Sequence, residues 1–223
     1  MGASGPGQLP DRMQLIERHP LVEEVLGAWQ EALGTERLAY RGHVYRVLNY
    51  ARRLVGSGRH DDALAVASAF HDLGIWSDRT FDYLPPSIQR GETFRRIRTP
   101  SLPADLLARM IGQHHRLRRV IEGPEPELVE AFRRADLVDV SCGALRAGLP
   151  RELVRELTRR FPYAGFHGFL ARTGLRWAVR HPLRPLPMLR FRSLLLPCGA
   201  SIFFITFSMA FRMLRVSAPW LGG

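Results

Sequence analysis

The sequence predicts an all-α protein, and three observations lead to this prediction. Apolar residues recur at helical spacing along most of the first 180 residues, no segment alternates as a strand does, and Pro and Gly break the chain between the periodic segments. The 223 residues are enough for one domain with an appendage. We therefore divide the chain into a flexible N-terminus (1–19), a helical domain (20–180), and a Pro-rich linker with an apolar, basic tail (181–223).

The predicted helices begin and end at recognisable signals. Pro20 is tolerated in the first turn of the first helix, and Gly34 ends that helix. The third helix begins at Asp61 and ends at Gly74, and its small apolar interior is typical of a helix in the middle of a bundle. Residues 75–86 form a predicted loop, whose aromatic residues either line a substrate pocket or pack against the bundle. The predicted helices cover residues 20–33, 38–55, 61–73, 87–98, 103–118, 126–145, 151–161 and a last stretch that ends at 180.

The charge is divided unevenly along the chain, which has a formal net charge of +11. Residues 1–156 contain 22 Arg and 21 acidic residues, whereas residues 157–223 contain 10 Arg and no acidic residue. Every basic residue is Arg, so a P-loop lysine and a Schiff-base lysine are excluded. No recognition motif accompanies the charge, so we expect no specific nucleic-acid partner. Cys142 and Cys198 form neither a metal-type spacing nor a disulfide framework, which favours a reducing, cytoplasmic location.

An uncharged, strongly apolar stretch runs from Leu194 to Phe211, with two Arg residues on each side. A membrane-spanning helix needs about 20 residues, so this stretch of 18 is marginal. Three interpretations stay open: a buried helix of the domain, a C-terminal membrane anchor, or a terminus without function. The acid-free run of Arg residues favours an anionic membrane surface, so any membrane contact is expected in residues 190–215.

His71 and Asp72 stand next to each other near the end of the buried third helix. Burying an imidazole and a carboxylate is unfavourable unless a partner compensates, and both groups are good ligands for a divalent metal ion. Adjacent helical residues point about 100° apart, so both reach one ion only where the helix opens, and Gly74 places them there. His43 and Asp136, each on an amphipathic helix that should face the same core, are the candidates for two more ligands.

The order of these residues, His43, then His71-Asp72, then Asp136, resembles the HD superfamily of metal-dependent phosphohydrolases. The seven-residue stretch around the His-Asp pair (Ala-Phe-His-Asp-Leu-Gly-Ile) is similar to the signature region of that family. The resemblance covers less than half of the chain and does not reach the apolar tail.

The resemblance implies an HD-type helical bundle with one bound divalent ion, Mn, Ni, Co, Mg or Fe. His43, His71, Asp72 and Asp136 would be its ligands. The implied reaction is the hydrolysis of a phosphate ester, in a nucleotide or another small phosphorylated molecule, by a metal-activated water.

Further residues are candidates for direct roles in catalysis. Asp72 is expected to orient or deprotonate the attacking water as well as to bind the ion. Some members of the family bind two ions through two further, separated histidines, but residues 73–113 contain no His, which predicts a single ion. Of His114 and His115, one is a candidate to donate to the substrate or to act as a general acid. The alternative for each is a histidine that caps a helix or lies partly exposed.

Arg46, Arg116 and Asp139 are the candidate substrate-binding residues. Arg46 lies one helical turn after the first His ligand and suits bidentate contact with phosphate, unless it is a surface residue. Asp139 lies one turn after the last Asp ligand and either orients a ligand or pairs with Arg133 or Arg134. Arg116 belongs to a cluster of arginines directly after the paired histidines. The other histidines are expected to be exposed and uninvolved: His19, His60, His167 and His181.

Two further functions stay open. The same scaffold supports hydratases and iron oxygenases, although the missing separated histidine counts against the dinuclear oxygenase type. A non-enzymatic regulatory module with a structural metal ion belongs to a different class, and the arginines after His115 favour a phosphate-handling pocket over it. The sequence indicates no oligomeric state.

Overall fold

The computed structural model describes residues 14–56 and 58–189, and every regular element in these ranges is a helix. The all-α prediction is confirmed for this part of the chain, while the HD-type arrangement stays a prediction. None of the described helices is long and apolar enough to cross a membrane. Residues 1–13 of the predicted flexible N-terminus and the predicted membrane-contact segment 190–215 lie outside the described residues.

The α-helices of the described residues follow one another in this order: α1 (Pro20–Ala28), α2 (Gln30–Leu33), α3 (Arg37–Val55), α4 (Asp61–Phe70), α5 (Gly74–Ser77), α6 (Leu84–Arg98), α7 (Ala104–Gln113), α8 (Pro126–Val140), α9 (Arg151–Arg160) and α10 (Phe166–Arg180). Short 3-10 helices precede α3 (Gly34–Glu36) and α4 (Gly58–His60). Residues 181–189, the start of the predicted linker, contain no helix.

The helix bounds differ from prediction where single residues leave the helical conformation. The first predicted helix is interrupted at Trp29 (φ −108°, ψ 16°), which separates α1 from α2. The helix predicted over 126–145 ends at Val140, and Cys142 and Gly143 beyond it both adopt positive φ. Positive φ is incompatible with a right-handed helix, so the chain turns there.

The predicted loop over residues 75–86 is only partly a loop. Its start forms α5, and α6 begins at Leu84, with proline in its first turn. Proline is accepted there because the first N–H groups of a helix have no partner within the helix. Conversely, the helix predicted over 103–118 ends at Gln113 and leaves the following arginines outside it.

The core lies between α3, α4 and α8. α3 packs along α8, and α4 packs against α1, α3, α6 and α7, which places α4 in the middle of the bundle as predicted. Every residue from Leu64 to Phe70 is buried. The small Ala and Ser side chains in this run allow the neighbouring helices to approach closely. The polar residues that were predicted to bind metal come from the helices that meet at this core.

Candidate metal centre

The four predicted ligands lie close together in the core. His43 is in α3, His71 and Asp72 form the turn directly after α4, and Asp136 is in α8. Each residue is at most 2 % exposed. His43 Nε2 is 2.8 Å from His71 Nε2 and 3.4 Å from Asp72 Oδ2. Asp136 Oδ1 is 3.7 Å from His43 Nε2 and 3.6 Å from His71 Nε2. Three separate segments thus bring two imidazoles and two carboxylates to one point.

The two Nε2 atoms that face each other both carry a lone pair when the rings are neutral. His71 Nδ1 is 2.8 Å from Ser68 O, and because a carbonyl only accepts, this nitrogen holds the ring proton. His43 Nδ1 lies 2.7 Å from Asp139 Oδ2 and holds its proton for the same reason. Two lone pairs that are 2.8 Å apart repel each other unless a proton or a metal cation lies between them. The contact therefore requires either a proton or a metal cation between the two nitrogens.

The separations also suit a single divalent ion. Ligand atoms that lie about 2.0–2.2 Å from an ion are about 2.8–3.6 Å from one another in tetrahedral and octahedral arrangements. The Nε2 atoms of His43 and His71 are 2.8 Å apart. Each of these atoms lies 3.4–3.7 Å from the nearer oxygen of Asp72 and of Asp136. His43, His71 and Asp72 offer ligand atoms that all lie within 4.8 Å of one another, and Asp136 Oδ1 lies within 3.7 Å of both imidazole Nε2 atoms.

Three polar atoms of this region are buried without a hydrogen-bond partner: Asp72 Oδ1, Asp136 Oδ1 and His114 Nε2. Such an atom normally has a partner, since leaving it unpaired costs about 1–3 kcal/mol. His114 Nε2 lies 3.3 Å from Asp72 Oδ1. His114 Nδ1 is 2.7 Å from Ile111 O, so Nε2 presents a lone pair when the ring is neutral and donates towards Asp72 when the ring is protonated. Either a proton on His114 Nε2 or a metal ion would give these atoms a partner.

His114 and His115 form a second group of potential ligands. Together with Asp72 they offer three ligand atoms within 4.8 Å of one another. Asp72 is shared with the first group, which also contains His43 and His71. His115 Nδ1 lies 3.8 Å from Asp136 Oδ2. The single-ion prediction depended on the absence of a second separated histidine. The end of α7 instead brings two adjacent histidines to the centre.

Asp139 lies behind His43, on the side of the ring that faces away from the other ligands. Its Oδ2 accepts from His43 Nδ1, and its two oxygens accept from Arg46 Nε at 2.5 Å and Nη2 at 2.9 Å. Arg46 Nη1 donates to Phe161 O at 2.6 Å. Of the two interpretations of Asp139, the geometry matches the one in which it orients a ligand, because Arg133 pairs with Glu130 instead.

Arg46 and Asp139 are not placed to bind a substrate, which corrects the expectation from the sequence. Both side chains are 0 % exposed, and their polar groups already bond to protein partners. Arg46 also lies over the ring of Tyr163, with Cζ 4.1 Å from the ring centroid. Because a buried, fully bonded guanidinium has no donor directed to solvent, a phosphate cannot reach it without breaking this network.

The same contacts shift the pKa values of the centre. Burial raises the pKa of Asp139, but the charges of Arg46 and His43 outweigh burial and hold this pKa well below its usual range. Burial lowers the pKa of His43, but hydrogen bonds to the nearby carboxylates and their charges raise it to about 9. Burial and the charge of His114 lower the pKa of His115 to about 4. His43 and His115 thus differ in their affinity for a proton although both line the same centre.

Gly74 allows the turn with His71 and Asp72 to lie tightly against the following segment. A Cβ at this position would lie 2.5 Å from Tyr83 O and 3.0 Å from Ser87 Oγ. Its N–H donates to that Oγ at 2.9 Å. The prediction that Gly74 ends the third helix is wrong, because α4 ends at Phe70 and Gly74 begins α5. This glycine is needed for close approach of the backbone.

Three aromatic side chains lie around the candidate ligands: Tyr83, Phe166 and His167. The Tyr83 hydroxyl hydrogen-bonds His115 Nε2. Tyr83 belongs to the predicted loop whose aromatics were candidates to line a pocket. Phe166, at the start of α10, stacks on His43 with 4.2 Å between ring centroids. His167 is buried, and its Nε2 lies 3.1 Å from Asp139 O. No signal in the sequence links Phe166 and His167 to this centre, because they lie beyond the stretch that resembles a known family.

Arg116 lies outside the centre. Its side chain is exposed, and Nη1 is 3.3 Å from Gln113 Oε1. Two of the histidines that were expected to be exposed are buried, namely His19 and His167. His19 Nε2 pairs with Asp62 Oδ1 at 3.2 Å, and neither residue belongs to the groups of potential metal ligands.

No protein-family model, curated protein or solved structure matches this chain. Its function is therefore inferred from its own residues and their geometry.

Proposed function

We propose that this chain is a metal-dependent hydrolase of a phosphate ester, acting on a nucleotide or another small phosphorylated molecule. The observation that supports the proposal is the pair of Nε2 atoms of His43 and His71, 2.8 Å apart, with Asp72 and Asp136 beside them. Imidazole and carboxylate ligands together suit a divalent ion such as Mn, Ni, Co, Mg or Fe. The resemblance to the HD superfamily leads to the same four residues.

Each residue of the centre has a separate role in the proposed reaction. A divalent ion bound by the four ligands would supply a water of lowered pKa and would polarise a phosphoryl oxygen. Asp139, held by Arg46, keeps the His43 proton on Nδ1 and its lone pair directed at the ligand side. Asp72 Oδ1 has no hydrogen-bond partner, so it is the acceptor that we assign to the proton of the attacking water.

His115 and Tyr83 are assigned to the substrate side of the centre. The His115 side chain is 23 % exposed, whereas the four ligands are buried, so a substrate arriving from solvent would meet His115 first. With its pKa lowered to about 4, His115 is neutral at pH 7 and acts through hydrogen bonds rather than as a cationic acid. Of the two histidines, one of which was expected to donate to the substrate or act as a general acid, His115 is the one that we assign to the substrate, because the His114 side chain is 0 % exposed.

The burial of the centre favours one alternative, a regulatory module with a structural metal ion. Structural metal sites are closed, whereas catalytic sites keep a coordination position open to solvent or substrate. All four ligands are at most 2 % exposed. Under this alternative, the metal ion would raise the melting temperature without conferring any activity.

A phosphatase screen of the purified full chain tests the proposal. Nucleotides and sugar phosphates are supplied with each of the five candidate ions in turn, and we expect ion-dependent release of inorganic phosphate. The release should be absent in His71→Ala and Asp72→Ala and unchanged in His181→Ala, whose exposed side chain lies away from the centre. Activity that survives in both centre variants would exclude the assignment. An ion that binds and stabilises the protein, with no phosphate released from any substrate, would favour the structural alternative.

A further inference from the structure

The solvent-facing side of α10 combines exposed apolar residues with a row of arginines. Leu175 is 61 % exposed and Val179 is 74 % exposed. Arg172, Arg176 and Arg180 are exposed beside them, and their spacing of four residues keeps them on one side of the helix. These five residues are called the α10 face.

The α10 face has no negative charge to balance it. Residues 157–223 contain 10 Arg and no acidic residue. Within residues 14–56 and 58–189, the three arginines of the face form no ion pair with any acidic side chain. Other partly exposed arginines do form such pairs: Arg41 with Glu23 at 2.8 Å and Arg90 with Asp78 at 2.9 Å. The positive potential of the α10 face is therefore not neutralised within the described chain.

The side of α10 that faces away from these residues contacts the bundle. Gly174 lies about half a turn from the centre of the α10 face, and a Cβ at this position would lie 3.1 Å from Phe81 Cζ. Phe166, at the start of the helix, is buried and stacks on His43. The α10 face is thus directed to solvent, and the described residues leave its aliphatic side chains largely uncovered.

We propose that the α10 face binds the surface of an anionic lipid membrane. A helix with arginines beside aliphatic residues lies flat on such a surface, with the aliphatic side chains at the boundary of headgroups and acyl chains and the arginines on lipid phosphates. α10 has 15 residues, which suits this flat position and is too short to span. The inference does not depend on the proposed hydrolase function.

A nucleic acid and a second copy of the chain fit the α10 face less well. Nucleic-acid phosphates would pair with the arginines but would leave Leu175 and Val179 in water. The neighbouring Trp177 ring stacks on His181, with 3.8 Å between centroids, and is occupied rather than free for a base. Two copies of the face packed about a twofold axis would bring their arginines together, and like charges repel.

Vesicle binding of the full chain tests the proposal. The probes are phosphatidylcholine vesicles with and without phosphatidylserine, and binding is measured by cosedimentation over a range of salt concentrations. We expect binding only to the anionic vesicles, with an affinity that falls as salt rises. The triple variant Arg172→Glu, Arg176→Glu, Arg180→Glu should bind roughly 100-fold more weakly. Leu175→Ser with Val179→Ser, which leaves the charge unchanged, should bind roughly tenfold more weakly.

A matched triple variant on α9 controls for net charge and folding. Arg151, Arg155 and Arg159 are also exposed and spaced by four residues, but Glu152 and Glu156 lie among them. Reversing these three arginines to Glu should leave vesicle binding within about twofold, with circular dichroism and melting temperature comparable in all variants. Equal losses in the α9 and α10 variants, or no loss in the α10 variant, would overturn the proposal. So would an effect of the α10 variants on duplex DNA binding or on oligomeric state without an effect on vesicles.

Discussion

The two nitrogen atoms of the His43 ring face two regions that are built differently. On the Nδ1 side, Asp139 accepts from the ring and from Arg46, and Arg46 also donates to a backbone carbonyl, so the hydrogen bonds of this region are made. On the Nε2 side, the nearest groups are the second imidazole and two carboxylates, and Asp72 and Asp136 each present an oxygen with no hydrogen-bond partner. Both regions are almost completely buried.

The comparison shows that burial alone does not distinguish a supporting network from a binding site. A buried charge is stable when it is paired and bonded, as Asp139 is. A buried acceptor without a partner costs about 1–3 kcal/mol, and several of them directed at one point oppose folding unless a ligand compensates. The Nδ1 side of His43 is therefore structural support, and the Nε2 side is the one that could bind a metal ion.

The largest expected effect is on the Nε2 side. His71→Ala removes one of the two facing nitrogen atoms, and because the remaining groups no longer surround the ion, bound metal should fall to background. Elemental analysis of the protein, purified with added manganese, gives the metal content per chain. His181→Ala is the control and should retain the metal content of the unmodified protein. An unchanged metal content in His71→Ala would contradict a metal site between these residues.

The next effect compares two aspartates of α8. Asp139→Asn removes the charge that pairs with the buried Arg46 guanidinium, so the free energy of unfolding should fall by about 3–5 kcal/mol. Asp136→Asn should reduce it clearly less, since Asp136 Oδ1 has no hydrogen bond to lose. Urea unfolding of both variants in the presence of a chelator measures the difference. Equal losses would show that the two regions do not differ as the contacts indicate.

A smaller effect is expected when the support is weakened but its charge is kept. Arg46→Lys retains a cation beside Asp139 but loses the bidentate contact, so the carboxylate and the His43 ring are held less firmly. The affinity for manganese should fall by about tenfold, the lower end of the range for residues that orient a ligand. Isothermal titration calorimetry measures this affinity. Arg41→Lys on the same helix, which replaces a partly exposed arginine, should leave it unchanged.

The smallest expected effect concerns the ring that stacks on His43. Phe166→Leu keeps the position apolar but removes the aromatic stacking, so the free energy of unfolding should fall by about 1 kcal/mol. Thermal unfolding by calorimetry measures this loss, and the metal content should stay as in the unmodified protein. A complete loss of bound metal would instead assign Phe166 a direct part in shaping the ligand set.

Local signals along the chain were sufficient to predict the helices and the order of the candidate ligands. The signals that indicate an all-α chain involve only residues close together in sequence. They are the apolar residues at helical spacing, Pro20 in the first turn of α1, and the run of small apolar residues in α4. The adjacent His71 and Asp72 stand out for the same reason, because two polar groups on an otherwise apolar helix need a partner.

The tertiary structure decided which way each polar group points and what it meets. Arg46 and His43 share a helical face, but only the packing of α3 against α8 places Asp139 between them and withdraws Arg46 from solvent. Likewise, only the approach of α7 and α10 brings His115 and Phe166 to the centre, across long separations in sequence. The physical reason is that periodicity specifies which residues share a face, whereas hydrogen-bond pairing between distant segments depends on how those faces pack together.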